Sequence, residues 1–156
     1  MKQSISNPNF FNQLREFGQF SLKNCKIKKI YLAHPSSERD YGDKLQSMLE
    51  NLGFEVINPF TSFGLASGED DIDIVEQDLA GVSGCDVVVA FIPHEDMGIM
   101  GEILYATVVA LVPVISLTSM EHIWINFCSS KVCRSEEELM KFMEELRNER
   151  KSVTPA

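Results

Sequence analysis

Three carboxylates in the middle of the sequence have the residue types and spacing needed to break an N-glycosidic bond. Asp78 lies in EQDLAG, Asp96 in PHEDMG and Glu102 in GIMGEILYA. That reaction needs one carboxylate to stabilise or capture the sugar carbon and an acid to protonate the departing base. Acidic residues in loops and first helical turns also serve commonly as helix caps, so on charge pattern alone capping remains the alternative.

The surroundings of Glu102 favour the chemical interpretation. The sequence predicts that Glu102 lies in the first two turns of a helix, where the helix dipole favours the ionised form that a nucleophile needs. Gly98 and Gly101 precede it and leave room for a substrate to approach the backbone.

The elements that must position these residues alternate between strand and helix. Short β-rich or apolar runs predict strands at 28–33, 54–58, 86–92 and 113–117, with a fifth around 131–133. Helical spacing predicts helices at 38–52, 71–83, about 98–111 and from Ser135 onward, with 60–69 as loop. This order implies a single-domain, three-layer α/β protein of the Rossmann or flavodoxin-like kind, with a mostly parallel sheet of four to five strands.

In such a sheet, ligands bind beyond the carboxyl ends of the strands, where the strand order reverses. The loops after the first, third and fourth strands are therefore expected to form the site. Residues 27–150 make up the predicted α/β domain, and 151–156 a disordered tail. Residues 1–26 are expected to add an N-terminal helical extension, whose phenylalanines cover the sheet or a subunit interface.

Composition narrows the classes of partner and compartment. A formal net charge of −9 argues against a nucleic-acid polymer as partner, although a few local donors can still hold one phosphate. Four scattered cysteines without a CxxC pair predict reduced thiols and a cytoplasmic location. No apolar run is long enough to span a membrane. No metal site or cofactor is expected, since the histidines lack partner spacing and no GxGxxG motif is present.

The run from Ile30 to Ala106 resembles the nucleoside 2-deoxyribosyltransferase family, which includes related nucleoside 5′-monophosphate N-glycosidases. The segments that carry the resemblance are KIYLAHP, LENLGFEVINPF, EQDLAGVSGCDVVVAFIP, EDMGIMGEILYA and VPVISL.

The resemblance implies a role for each of the central residues. Glu102 would attack the anomeric carbon, and Asp78 would help to hold the base and sugar. Asp96, six residues before Glu102, would serve the base or its proton transfer. Tyr105 would orient the nucleophile.

Two residues depart from the family pattern. His34 stands where the family usually has glycine, so a side chain enters the loop after the first strand. It is either a polar contact to the ligand or a structural hydrogen-bonding residue. Leu104 stands where glycine usually precedes the tyrosine, and it is expected to alter the packing under the site and the placement of Tyr105.

Two further segments bear on the substrate and on assembly. Ser36, Ser37 and Arg39, after the first strand, are candidates for binding a 5′-phosphate, with simple helix capping by Ser37 as the alternative. In the transferases a neighbouring subunit commonly completes the pocket, which implies a homodimer or higher homo-oligomer. Asn126 is the candidate residue for that role.

Three functions therefore remain open. The first is cleavage or transfer of the N-glycosidic bond of nucleosides or their monophosphates through Glu102. The second is a nucleotide-binding or sensing protein of the same fold that turns nothing over. The third is an NAD-cleaving glycohydrolase, which would use the same bond type and a glutamate.

Overall fold

A computed structural model describes residues 8–62 and 71–152 of the chain. The strands are β1 (Lys29–Ala33), β2 (Glu55–Ile57), β3 (Val87–Phe91), β4 (Val114–Leu117) and β5 (Lys131–Cys133). The helices are α1 (Pro8–Asn24), α2 (Arg39–Asn51), α3 (Pro59–Ser62), α4 (Asp71–Ser83), α5 (Met97–Tyr105), α6 (Ile123–Cys128) and α7 (Glu136–Ser152).

The five strands form one sheet in the order β2-β1-β3-β4-β5, and every pair is parallel. This confirms the predicted fold class, a flavodoxin-like α/β arrangement. Because β1 lies between β2 and β3, the chain leaves β1 first to one side and later returns on the other. The strand order therefore reverses between the carboxyl ends of β1 and β3, where a crevice for ligands is expected.

Alternation along β1 divides the core into two layers. Ile30 and Leu32 point to the cluster that also holds Leu45 of α2 and Met143 of α7. Tyr31, Ala33 and their neighbours on β3 point to the opposite face, which is covered by α4, α5 and α6. Period-two alternation in a buried parallel strand thus places the one tyrosine of β1 on the face of the helices that carry Asp78 and Glu102.

The predicted helix at 98–111 is divided into two kinds of helix. The α-helical part ends at Tyr105, and Ala106–Ala110 continue as a π-helix. Leu111 then takes the left-handed conformation with φ of 54°, and its side chain is largely exposed. A π-helical turn inside a longer helix is often found at a functional site.

Two short helices appear where sequence periodicity is too brief to show them. The predicted loop 60–69 begins inside α3, and its remaining residues, 63–69, lie outside the described part of the chain. The helix α6 follows β4, and the imidazole of His122 caps it by accepting a hydrogen bond from Trp124 N.

Both ends of the chain were expected to lie outside the α/β domain. At the amino end, α1 packs through the buried Leu22, and its phenylalanines keep 40–59% of their surface exposed. Their predicted role at the sheet or at a subunit interface remains a prediction. At the carboxyl end, the predicted disordered tail begins inside α7, and residues 153–156 lie outside the described ranges. The division into extension, domain and tail remains a prediction. Within the described ranges, no helix is both long and apolar enough to cross a membrane.

Candidate active site

An open pocket of about 560 Å³ lies between α4 and α5. Asp78 enters it from α4, and Glu102 enters from α5. The pocket is also lined by Gly98, Gly101 and Tyr105. Five residues that the sequence singled out, from two separate helices, therefore border one space, which we call the Glu102 pocket.

Glu102 is a largely buried carboxyl group. Its Oε2 atom is buried without a hydrogen-bond partner among the described residues. The pKa of Glu102 is raised to about 8, mainly by burial and additionally by the negative charges of Asp78 and Asp96. Burial likewise raises the pKa of Asp78 above its ordinary range. Burial thus disfavours the charged form of both carboxyls, and like charges add to this effect at Glu102.

The hydroxyl of Tyr31 lies beside both of these carboxyls. Its own pKa is raised, first by burial and then by the charges of Glu102 and Asp78. It has the opposite effect on the two carboxyls, because its nearby O–H favours their ionised forms and lowers both pKa values. The hydroxyl is nonetheless buried without a hydrogen bond of good geometry. A small movement of Glu102 or Asp78 would satisfy it, which suits a group that positions a carboxylate.

The sequence pattern does not single out Tyr31, because this residue lies in the middle of a strand, where an aromatic side chain is expected to belong to the core. One signal was available. Apart from Tyr31, residues 30–33 are aliphatic and lie between a pair of lysines and His34, and a phenol fully buried there needs a polar partner.

Tyr105, which the resemblance assigns to orienting the nucleophile, borders the same pocket. Its hydroxyl is 2.8 Å from Ser83 Oγ, at the end of α4. The residue therefore links α5 to α4. Its predicted role toward Glu102 remains a prediction.

Asp96 precedes α5 and caps it. Its Oδ1 accepts a hydrogen bond of 2.9 Å from Ile99 N. Helix capping, the alternative raised from the sequence, therefore accounts for one of the two carboxylate oxygens of Asp96. The residue also lines a second open pocket of about 580 Å³, between α5 and α6, together with Met120 and Trp124.

The second pocket and the Glu102 pocket meet along the outer side of α5. Both are bordered by Met97, Gly101 and Leu104. A Cβ added at Gly101 would meet no other atom within 4 Å, so the space beside this glycine is open. Leu104 lies at the pocket mouth with 37% of its surface exposed, rather than beneath the site.

His34 lies below the crevice and is buried. Its Nε2 is 2.9 Å from Asn58 Oδ1, and its Nδ1 is 3.1 Å from the carbonyl oxygen of Pro35. The ring also packs against Gly42 of α2, where an added Cβ would stand 2.5 Å from Nε2. Of the two interpretations left open, the contacts match the structural one, since both nitrogens are engaged by the protein.

The remaining candidates are exposed. Ser36 and Ser37 lie in a 3₁₀ turn before α2. Arg39 places its guanidinium carbon 4.8 Å from the ring centre of Phe60. Asn126 lies exposed on α6, and its predicted role toward a neighbouring subunit remains a prediction.

Among residues 8–62 and 71–152, no three His, Cys, Asp or Glu side chains lie close enough together to hold a metal ion. The chemistry that the described residues can supply is that of carboxylates: nucleophilic attack and proton transfer.

The sheet order and the Glu102 pocket define a flavodoxin-like α/β protein with two carboxylates on one open pocket. Residues 30–138 match the family described as nucleoside 2-deoxyribosyltransferase. The match covers well over half of the chain, and this protein belongs to that family. The resemblance inferred from the sequence motifs is therefore confirmed.

Solved structures show the same fold. A 2-deoxyribosyltransferase from Bacillus psychrosaccharolyticus superposes with a TM-score of 0.60 at 20% identity, covering 72% of this chain and 90% of its own. A CMP N-glycosidase from Clostridium botulinum superposes with a TM-score of 0.57 at 23% identity, covering 76% and 98%. At these identities the likeness is one of fold. No curated protein sequence gave a match.

The contact between His34 and Gly42 predicts a stability effect. Gly42→Ala should lower the free energy of unfolding by about 1–3 kcal/mol, because the new methyl group displaces the ring from Asn58. Gly101→Ala is the matched control, since its methyl group meets nothing and a helix prefers alanine. Urea unfolding followed by circular dichroism measures both. Equal midpoints for Gly42→Ala and the wild type would contradict the proposed packing.

The raised pKa of Glu102 predicts how stability changes with pH. An unfolded glutamate titrates near 4.3, whereas the folded pKa is about 8. The stabilisation from the neutral buried carboxyl is therefore complete at acidic pH and is lost as the pH rises toward 8. Glu102→Gln should have nearly wild-type stability at pH 4.5 and exceed it by roughly 2–4 kcal/mol at pH 8.5.

Glu95→Gln, which neutralises an exposed glutamate on the neighbouring loop, is the control for a general charge effect. Chemical unfolding at four pH values gives the comparison. A stability difference between Glu102→Gln and the wild type that does not grow with pH would show that the carboxyl is not held neutral by the fold.

Proposed function

We propose that this protein cleaves or transfers the N-glycosidic bond of nucleosides or nucleoside 5′-monophosphates, with Glu102 as nucleophile. The observation that carries the proposal is that Glu102 and Asp78 border one open pocket, with the buried Tyr31 hydroxyl beside both carboxyls, in a member of this family. Each residue comes from a different element, and the family fold brings all three to the same side of the sheet.

The proposed first step is a displacement at the anomeric carbon. The ionised Glu102 forms a bond to this carbon, while the bond to the base nitrogen breaks and its electron pair leaves with the base. Because Glu102 is buried and its pKa is about 8, its ionised form requires stabilisation at the moment of reaction. The adjacent Tyr31 hydroxyl supplies it by donating a hydrogen bond, and the positive charge that develops on the sugar adds to it.

The departing base needs a proton. The family resemblance gives this role to Asp96, but we assign it to Asp78, because one oxygen of Asp96 is occupied in capping α5. The raised pKa of Asp78 keeps a proton available closer to neutral pH than an ordinary aspartate would. In this scheme Asp96 fixes the start of α5 through its cap on Ile99 and faces the base from the second pocket. The glycosyl–Glu102 intermediate is then resolved by water or by a second base.

Assembly with a second copy is part of the proposal. Apolar side chains at the pocket mouth are exposed, with Met97 91%, Val109 63% and Val75 55% accessible. Contiguous exposed apolar residues are typical of an interface, and a partner covering them would exclude water from Glu102. Sedimentation velocity that returns only a 17.6 kDa species at the concentration of the activity assay would contradict this assembly.

We also propose a cytoplasmic location, based on the state of the cysteines. All four cysteines are free, and Cys85, Cys128 and Cys133 are buried. Buried thiols without a disulfide are the usual state of cysteine in a reducing compartment.

Base release from a substrate panel tests the proposed reaction. The protein is incubated with nucleosides, deoxynucleosides, their 5′-monophosphates and NAD, with and without a free acceptor base, and the products are separated by chromatography. Glu102→Ala should reduce base release by at least about 10³-fold, because a nucleophile cannot be replaced by its neighbours.

Glu95→Ala provides the matched control and should retain wild-type rates. Tight binding of one nucleotide without turnover of any compound would favour the non-catalytic nucleotide-binding alternative. Release of nicotinamide from NAD alone would favour the NAD-cleaving alternative.

A further inference from the structure

The segment that precedes β1 has a charge opposite to that of the rest of the chain. Residues 1–29 contain six lysines and arginines and one acidic residue, which gives a formal charge of +5. Residues 30–156 contain eight lysines and arginines and 22 acidic residues, which gives −14. The match to the family begins at residue 30. The basic segment, which includes α1, therefore lies outside the part of the chain on which the proposed reaction depends.

One side of α1 carries exposed phenylalanines. Phe10, Phe17 and Phe20 are separated by seven and three residues, which places them on the same side of a helix. All three rings are exposed. A different side of α1 packs on the protein through the buried Gly18 and Leu22. The three exposed phenylalanines, which we call the aromatic stripe, thus form a second apolar side of this helix that the fold leaves uncovered.

Basic side chains follow the aromatic stripe directly. Lys23, Lys26 and Lys28, which we call the lysine cluster, are exposed and lie in the last turn of α1 and in the connection to β1. Lys23 is three residues after Phe20 and is therefore its neighbour on the helix surface. Among the residues that the structure describes, no ion pair engages the lysine cluster. The cluster is therefore available to an anionic partner.

The helix α1 lies at the amino-terminal edge of the sheet. Its Gly18 packs against Ser130, directly before β5, so closely that a Cβ would not fit between them. Its carboxyl end leads into β1 through residues 25–28. The crevice between β1 and β3 is at the carboxyl ends of the strands, which is the opposite edge of a parallel sheet. A surface that binds α1 therefore leaves this crevice open to solvent.

An apolar stripe beside a cluster of lysines matches an anionic lipid surface. Phenylalanine rings enter the boundary between headgroups and acyl chains, and lysines at the same level attract anionic headgroups. The −14 charge of residues 30–156 is repelled by such a surface, so the α1 edge is the one that can approach it.

Other occupants match the surface less well. A nucleic acid would pair with the lysine cluster but would leave the aromatic stripe uncovered. Two copies of this chain joined symmetrically through α1 would bring the same lysines together, because a two-fold interface places each patch against itself. That arrangement buries the phenylalanines at the cost of repulsion between like charges.

We propose that α1 docks this protein on an anionic lipid surface, with the aromatic stripe at the level of the headgroups and the lysine cluster bound to anionic lipids. The attachment is peripheral and reversible, since α1 stays packed on the fold and offers only one side to the lipid.

Flotation of the full chain with lipid vesicles measures this attachment. Vesicles of phosphatidylcholine alone are compared with vesicles that also contain about 30% phosphatidylserine, an anionic lipid. The wild type should float with the anionic vesicles at low salt and not with phosphatidylcholine alone. Raising the salt to about 0.5 M NaCl should release it, because the lysines are then screened from the lipid charge.

Two double variants test the two parts of the surface separately. Phe17→Ser/Phe20→Ser should weaken binding to anionic vesicles by about 10- to 100-fold, because two rings no longer enter the lipid boundary. Both rings are exposed, so its urea midpoint should stay close to that of the wild type. Lys23→Gln/Lys26→Gln should weaken binding by about 10-fold or more while keeping the phenylalanines.

Ile72→Ser is the matched control for exposed apolar surface. Ile72 is as exposed as the phenylalanines but lies at the start of α4, beside acidic residues, and its loss should not change flotation. No flotation by the wild type, equal flotation with and without phosphatidylserine, or an equal loss in Ile72→Ser would overturn the proposal. Wild-type flotation by Phe17→Ser/Phe20→Ser would overturn it as well.

Sedimentation velocity without lipid tests the alternative occupant. The wild type and Phe17→Ser/Phe20→Ser should sediment alike, whereas an oligomer that dissociates only in the variant would assign the aromatic stripe to a second copy and overturn lipid docking. Base release by Phe17→Ser/Phe20→Ser should equal that of the wild type, since α1 is at the edge opposite the crevice. Loss of vesicle binding therefore leaves the proposed reaction intact, and absence of turnover leaves lipid docking intact.

Discussion

The site depends on the cost of keeping two carboxyls and a phenol together in a poorly hydrated place. Glu102 and Asp78 repel each other when both are charged, and burial disfavours the charge on each. The Tyr31 hydroxyl moderates that cost without removing it, because it favours the ionised forms yet makes no hydrogen bond of good geometry. An arrangement of this kind destabilises the fold at neutral pH. A chemical function of the two carboxyls explains why the protein keeps it.

The rest of the fold serves to impose that arrangement. Tyr31 cannot turn away from the carboxyls, because a strand paired on both edges fixes which face each side chain occupies. The start of α5 is fixed by the Asp96 cap, and its far end is linked to α4 by the Tyr105–Ser83 hydrogen bond. These hydrogen bonds and the sheet fix the positions of α4 and α5. They therefore set the distance between the carboxyls of Asp78 and Glu102, which do not contact each other directly.

The sequence predicted most of this framework but not its finest details. Strands such as β3 were evident because their unbroken apolar runs match a strand buried on both faces, and Asp78, Asp96 and Glu102 followed from motif order. The short helices α3 and α6 were missed, because four and six residues do not reveal a period. Tyr31 was overlooked because one-dimensional pattern cannot separate a core aromatic from a phenol facing two carboxyls. His34 could not be placed either, because its partner Asn58 is 24 residues away.

In the proposed reaction, Glu102 forms a covalent bond to the anomeric carbon of the sugar. The most direct measurement is mass spectrometry of the protein after brief reaction with 2′-fluorinated nucleosides and nucleoside 5′-monophosphates, whose electron-withdrawing fluorine slows breakdown of a glycosyl–enzyme intermediate. A mass increase equal to the fluorinated sugar or sugar phosphate is expected on the peptide containing Glu102, and it should be absent in Glu102→Gln. Release of base without any such adduct, or an adduct on a different residue, would contradict it.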